Sequence, residues 1–564
     1  MTNTILSING TPFTHNTDAP HGGYLALGVS GNQLAVFSHM SKQVHLLKPS
    51  ELKAMNLMAL FGAKWCDKYY TEFDAKKGTP VFEHARLAVD IITDCQAAGS
   101  YTEVVPRHAG VWTTDDGQLV VNGSELWLAD GTVLEHGIHQ GKVYPPCGDI
   151  GFGPNTPLAS QEDVNAVLAT FSAQEWLHPM AGELILAFLG IAFVSSALPR
   201  RPHLLITGPA GCGKSTILEV VQRLLGNLAM PCTGPQTYAG YCQSLAGTSK
   251  TVINDEFEGG DGRRDPADGL RAARESYSLQ EGNKGAVRGA ATGKGASYAL
   301  FSPFIAAAIS PGKMQPADLT RWEFLETKGK TSGELLTDAQ AREIGPKLAR
   351  LFISRWSVFQ ATEKVVRQSI LKSGGDGRMA DTLGTLLASY WAFVSDQPAT
   401  ESDADDLVGM LNIRERVAVD HVSDEHQCLE ALSTKVASFK VMDGKALVSR
   451  HLTIAQAIEL VCKDPNGQPD VSMKLAQMGL RVVFAKGKWS LYVANSHTHQ
   501  ELRKLFAGTK WATGGWSLVL RRLPGGEEST QRIGAGLGAS KVTVIDVPEY
   551  LLPTMNDDCM KLAA

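Results

Sequence analysis

The sequence predicts an α/β core built on a parallel sheet, preceded by an α+β domain and followed by a helical lid and a winged-helix-like module. Three observations predict this. A chain of 564 residues is too long for one hydrophobic core and divides into about three or four units. From Gln161 to about Lys328 the pattern runs helix, strand, helix, strand, which is the signature of parallel strands joined by crossover helices. Inside that stretch, a glycine-rich loop stands between a short apolar strand and an amphipathic helix.

Residues 1–150 read as the mixed α+β domain. Asp115-Asp116-Gly117, Asn122-Gly123 and Asp130-Gly131 separate short apolar runs, and Asp-Gly and Asn-Gly in that setting mark hairpins. Ser50 to Cys66 carries apolar residues at helical spacing, and a second helix is expected from Pro80 to Ala98. No pair of acids at metal-holding spacing on a strand appears here, so a primase site is not expected in this domain. The core is placed at 161–330, the lid at 331–400 and the rear module at 407–564. In the lid, helices are expected at Ile344–Phe359 and Met379–Val394, and the polar, acidic stretch Pro398–Asp406 reads as a linker. The rear module has helix signals at Gln427–Ser438 and Ile454–Val461, then strand signals at Arg481–Phe484 and Trp489–Val493.

Composition narrows the class of protein. An apolar fraction of 43% with 20% charged residues is ordinary for globular domains. Nine scattered cysteines without a Cys-x-x-Cys pair suit a reducing compartment better than a disulfide scaffold, and the first residues lack the pattern of a secretory signal. A cytoplasmic location is therefore expected. The apolar run Leu184–Leu198 is shorter than the roughly 20 residues of a spanning helix and reads as a buried helix. A net charge of −5 argues against a passive coat for nucleic acid, so any such contact must come from local clusters.

The segment His203-Leu-Leu-Ile-Thr-Gly208-Pro-Ala-Gly211-Cys-Gly213-Lys214-Ser215-Thr216 is a phosphate-binding loop in its required setting. Its glycines allow successive backbone N–H groups to face phosphate oxygens, and the helix that follows presents its positive end to them. Gly208, Gly211, Gly213, Lys214, Ser215 and Thr216 are thus the expected contacts to ATP, with Lys214 at the β- and γ-phosphates and Ser215 on Mg²⁺. About forty residues on, the strand Lys250-Thr-Val-Ile-Asn254 ends in Asp255-Glu256. Asp255 is expected to hold the metal through water and Glu256 to polarise the attacking water. A third strand, Pro303 to Ile309, ends at Ser310, where a polar side chain can sense the γ-phosphate or simply terminate a strand. Arg321, in Asp318-Leu-Thr-Arg321, suits either a finger reaching a neighbouring subunit's nucleotide or an ion pair with Asp318.

Between the second and third strands lies Gly282-Asn-Lys284-Gly-Ala-Val-Arg288-Gly-Ala-Ala-Thr-Gly293-Lys294-Gly295, basic and rich in small residues. Lys284, Arg288 and Lys294 are candidate contacts to a DNA backbone, with Lys294 at the hairpin tip; a solvated basic hairpin is the other reading. Tyr298 can stack on a base or face the core.

Taken together, Trp176-Leu-His-Pro, Arg201-Pro-His203, the phosphate loop, Tyr238-Ala-Gly240, Asn254-Asp-Glu-Phe-Glu258, Asp318-Leu-Thr-Arg321 and Gly377-Arg378-Met-Ala-Asp381 resemble the helicase part of phage and prophage primase-helicases. These are AAA+ proteins similar to superfamily 3 helicases. The likeness extends to Gly110-Val-Trp112 and Asp116-Gly117 in front and to Trp511 and Trp516 at the rear. It implies a homo-hexameric ring that hydrolyses ATP between subunits and draws single-stranded or forked DNA through its pore. It also implies Arg321 as the finger and Arg378 as a second, lid-borne arginine at the nucleotide. Ser310 departs from the asparagine common in such proteins, and priming would come from a separate primase or not occur. Two other classes share the ATPase motifs: a protein-remodelling or loading AAA+ switch, and an ATP-switched replication initiator whose rear module binds DNA.

Overall fold

The computed structural model describes residues 23–552, apart from 259–265, 280–285, 290–294, 310–313, 330–332, 414–423, 496–498, 535–538 and single positions at 77, 103, 412, 445, 486, 508, 510 and 513; the side chains of 286–289, 295–297, 316 and 424 are also outside it. The chain forms two compact units, residues 1–414 and 415–564.

At the centre of the first unit is a parallel sheet of five strands. Its spatial order is Ala229–Thr233, Thr251–Asp255, Phe304–Ala308, His203–Thr207 and Trp322–Glu326. Parallel neighbours require crossovers, and a sheet covered on both faces demands nearly continuous apolar strands. Phe304–Ala308 is buried at every position, and Leu204, Leu205 and Ile206 are fully enclosed. The apolar run expected to be a buried helix forms Ala181–Phe193, in which every residue except Glu183 is buried. It packs against Gln161–Ser172 and Gly377–Val394, so its hydrophobicity is spent on protein contacts. Among the described residues no helix is long and apolar enough to cross a membrane.

The strand that carries the phosphate loop is fixed from behind by Arg201 and His203. The Arg201 guanidinium is fully buried and donates to the carbonyls of Ser195 (2.7 Å), Ser276 (2.9 Å) and Leu279 (2.9 Å). It thereby satisfies chain ends that would otherwise be buried without partners. His203 is held as a neutral imidazole: Nε2 lies 2.9 Å from the Ala273 carbonyl and Nδ1 accepts from the Phe304 amide at 3.1 Å. Burial is the chief force pushing its pKa from 6.5 down to about 3.

In front of the core, strands Gly110–Thr113, Leu119–Asn122, Leu126–Leu128 and Val133–Leu134 form the expected antiparallel meander. The stretch expected as one helix from Ser50 to Cys66 is two, Ala54–Phe61 and Ala63–Tyr70, because Gly62 adopts φ +92° between them. Pro80 belongs to a strand, Thr79–Phe82, and the following helix begins only at His84. The meander is seamed to the core by Trp112 edge-on to Phe301 (5.2 Å), and to the lid by Trp356 Nε1 donating to the Gly117 carbonyl (3.2 Å) and by Arg350 over the Trp127 ring (4.7 Å).

The lid also differs in detail. Instead of one helix over Ile344–Phe359 there are two, Asp338–Ser354 and Trp356–Lys372, parted at Arg355, whose guanidinium caps the carbonyls of Ala392 and Phe393. The supposed linker at Pro398–Asp406 is helical from Glu401 to Gly409. Two of its four acids, Glu401 and Asp403, are first-turn residues, and Thr400 and Asp403 form a reciprocal capping box, where negative charge favours the helix start. The lid therefore continues past 400, and the division between units falls after Arg414 and not at 407. Among the described residues of the rear unit the first helix is Asp424–Ser433, and the residues expected to extend it to Ser438 start a strand, Val436–Asp443.

His203 makes stability depend on pH. Because its folded pKa lies below the unfolded value, its contribution is complete above about pH 6.5 and falls away as the pH drops toward 3, by about 1.4 kcal/mol per pH unit. Denaturant melts from pH 7 to 4.5 should show this slope, and His203→Gln should flatten it; an unchanged slope in the variant would remove His203 as its source.

Candidate functional site

The phosphate loop occupies the carboxyl end of strand His203–Thr207. Gly208, Gly211 and Gly213 all take positive φ (153°, 75° and 94°), conformations that side-chain-bearing residues resist. A Cβ at Gly208 would also come within 2.6 Å of the Thr327 carbonyl. Gly213 is the N-cap of helix Lys214–Leu225, and no side chain caps that end, so its first N–H groups are open to an external acceptor. Ser215 and Thr216 are exposed in the same turn. The Lys214 ammonium folds back on the loop and donates to the carbonyls of Gly208 and Pro209, each at 2.8 Å. Its partners there are neutral carbonyls, which an incoming triphosphate can outcompete.

A residue the sequence reading missed supports this loop. Gln174 is 3% exposed and donates to the Cys212 carbonyl at 2.9 Å, to Thr327 Oγ1 and to the Gly329 carbonyl. It ties the loop to the chain that leaves the edge strand. The only sequence signal was its position two residues before Trp176-Leu-His-Pro.

The acidic strand ends at the same edge of the sheet. Thr251–Asp255 and His203–Thr207 both pair in parallel with Phe304–Ala308, with Asn254 opposite Ala306 and Thr207 opposite Ala308. Asp255 and the loop are therefore two strand spacings apart, about 10 Å across the sheet. That gap suits a triphosphate and its cation, with exposed Ser215 on one side and the Asp255 carboxylate on the other. The donor set fits Mg²⁺, a hard ion that takes oxygen ligands and retains waters.

Glu256 is the most unusual residue of the site. It is exposed and lies at φ +57°, one of three non-glycine residues with positive φ among those described. Its amide donates to Asp255 Oδ1 at 3.0 Å, and the next amide, of Phe257, bonds to the Ala307 carbonyl at 2.7 Å. Glu258 Oε1 accepts from the Ile309 amide. Beneath it, Asn254 accepts from the Tyr241 hydroxyl (3.1 Å) and, with its amide turned to suit its neighbours, donates to the carbonyls of Gly234 and Asp255. The left-handed turn is thus pinned on both sides, an arrangement often found where strain serves a site.

The strand preceding Ser310 runs between the loop strand and the acidic strand as expected, while Ser310 itself lies outside the described residues. So do Lys284 and Lys294. The hairpin expected around them is present as Ala286–Gly289 paired antiparallel with Gly295–Tyr298, with Arg288 opposite Ala296; the Arg288 side chain is not among those described. Of the two readings of Tyr298, packing against the core is the one observed.

Arg321 lies at the other edge. It precedes strand Trp322–Glu326, whose first residue pairs with His203, so a strand length of about 16 Å separates it from the loop of its own chain. The ion pair with Asp318 weighed from the sequence does not form: Asp318 is held by Arg274, through contacts of 2.8 and 2.9 Å. Arg321 instead lies over the Tyr277 ring at 5.4 Å and donates to the Ala317 carbonyl. Its Nε is buried without a hydrogen-bond partner. Burial, and after it the Arg378 guanidinium, lowers its pKa. Arg378 is exposed at the start of helix Gly377–Val394 and is close enough to Arg321 to act on it, so the two arginines share the edge away from their own phosphate loop. Thr382 fixes this arrangement by donating to the Thr320 carbonyl (2.9 Å) beside the Tyr277 hydroxyl (2.8 Å).

Set against family models and against curated proteins, the chain matches none.

Replacing Glu256 by glycine separates strain from stability. Relief of the left-handed backbone should stabilise the first unit by about 1 kcal/mol in denaturant melts. A loss of stability would show that the conformation is not strained.

Proposed function

We propose that the chain is a P-loop ATPase of the AAA+ type that works as a DNA helicase or translocase in the replication of a phage or other mobile element. The observation that carries this reading is the meeting of an uncapped phosphate loop and a pinned Asp255-Glu256 pair at one edge of the parallel sheet, with a further strand between them. In this reading Lys214 and the loop amides grip the triphosphate, and Ser215 and Asp255 hold Mg²⁺, which supplies charge neutralisation at the phosphates. Glu256 accepts a proton from the attacking water, and its fixed backbone aims the carboxylate.

Arg321 stands at the end of the sheet opposite its own loop, with the lid held beside it through Thr382 and the Thr320 carbonyl, which supports a role at a neighbour's nucleotide. In this reading Arg321 acts on a neighbour's nucleotide, with Arg378 as the second arginine, from the lid, beside it. This supports assembly as a ring, with a hexamer the expected form. The basic hairpin, rooted beside the core strand that ends near Ser310, is the candidate contact to single-stranded DNA. A protein-remodelling ATPase and a replication initiator use the same nucleotide chemistry and differ in what stimulates it.

Two experiments test this. Single-stranded DNA should raise the steady-state rate of ATP hydrolysis, and Lys294→Ala should keep the basal rate but lose most of the stimulation; a rate indifferent to DNA would favour the remodelling class. Mixing Arg321→Ala with Lys214→Ala subunits should restore hydrolysis above that of either alone, since a mixed interface pairs an intact loop with an intact finger. Absence of rescue at every ratio, with assembly verified by mass, would count against action between subunits.

A further inference from the structure

The second unit, 415–564, has its own core and carries a surface that the nucleotide reading does not use. Helices Asp424–Ser433, Ile454–Lys463 and Pro469–Gln477 are followed by the strand pair Leu480–Ala485 and Lys488–Ala494, and all close on one core through Leu429, Ile458, Leu475 and Leu491. The strand pair is half of a four-stranded antiparallel sheet completed by Ala539–Asp546 and Glu527–Arg532. Inserted between its first and second helices is an antiparallel ribbon, Val436–Asp443 with Ala446–Thr453.

The ribbon has two unlike faces. Phe439 and Val441 turn inward and are buried, while Ser438 and Lys440, with Ser449 and His451 opposite them in the register, are exposed on the other face. The second strand is exposed on both faces from Ala446 to His451. The ribbon is nevertheless held to the adjoining helix. Gln468, the residue before helix Pro469–Gln477, accepts from the Met442 amide (3.0 Å) and donates to the Met442 carbonyl (3.1 Å), and it is 8% exposed. Two bonds to one residue of the strand fix the ribbon's position relative to that helix.

Charge identifies what this face would meet. The ribbon 436–453 contains three Lys and Arg against one Asp, although the whole chain is acidic. The one acid of the ribbon, Asp443, sits near its turn and is paired with Arg450. A two-stranded ribbon is of a size that enters the major groove, and serine and lysine are side chains that read base edges or bind phosphates there. Single-stranded nucleic acid would call for exposed rings on which bases stack, and the one Phe, Tyr or Trp of the ribbon, Phe439, is buried.

We propose that the ribbon 436–453, clamped by Gln468 beside helix 469–477, is a binding surface for double-stranded DNA. It needs no nucleotide and is independent of the ATPase reading. The test is fluorescence anisotropy of the full chain with a labelled duplex of about two helical turns, without ATP, over a range of salt concentrations. Lys440→Glu should weaken duplex binding by roughly ten-fold and lower the salt slope by about one unit, while Lys440→Ala with His451→Ala gives a smaller loss. Lys53→Glu, an exposed site in the first unit, controls for net charge, and ATP hydrolysis without DNA reports separately on the nucleotide site. Unchanged duplex affinity in both ribbon variants, with unaltered melting, would overturn the proposal. So would a loss confined to single-stranded DNA, or a change in assembly mass with duplex binding intact.

Discussion

The parallel pairing of strand His203–Thr207 with both Phe304–Ala308 and Trp322–Glu326 is the constraint on which the rest of the first unit depends. Parallel strands send their carboxyl ends to one edge, so the phosphate loop and the Asp255-Glu256 turn emerge together although about forty residues separate them. The same pairing sends the start of strand Trp322–Glu326, and Arg321 with it, to the far edge. One topological fact thus sets both the groups that converge and the group that lies a strand length away from them.

The lid is joined firmly to that far edge. Ser389 donates to the Ala187 carbonyl (2.6 Å), Asp381 takes Arg200 at 3.1 Å as well as Arg367, and Thr382 holds the Thr320 carbonyl. On the other side, helix Asp338–Ser354 packs on the loop helix, and a Cβ at Gly345 would fall 2.0 Å from the Leu224 carbonyl. Close contacts of this kind transmit displacement with little slack, because packed interiors are stiff. In the proposed function, a change at the loop would therefore be felt beside Arg321 and Arg378.

Much of the core was legible because its signals are local. The strand, loop and helix around Lys214 follow one fixed spacing, and the acidic strand end, the hairpin and the buried helix each show in about fifteen residues or fewer. What escaped the sequence depends on distant partners. Gln174 is one polar residue among many until the fold brings it under Cys212 and beside Thr327. Arg274 displaced Arg321 as the partner of Asp318 from more than forty residues away. The helix at Glu401–Gly409 was read as a linker because its acids look like solvated chain, when Glu401 and Asp403 belong to the first turn of a capped helix. Gly62 and Arg355 split helices whose apolar spacing ran on across the break.

The central claim is that Lys214 and its glycine turn bind a nucleoside triphosphate with Mg²⁺. Calorimetric titration of the full chain with a nonhydrolysable ATP analogue tests it most directly. The account predicts saturation at one nucleotide per chain and an affinity lower by about ten-fold or more in Lys214→Ala, since each lost charged hydrogen bond is worth about 1.5–3 kcal/mol. No binding by the intact chain, or equal binding by the variant, would contradict it.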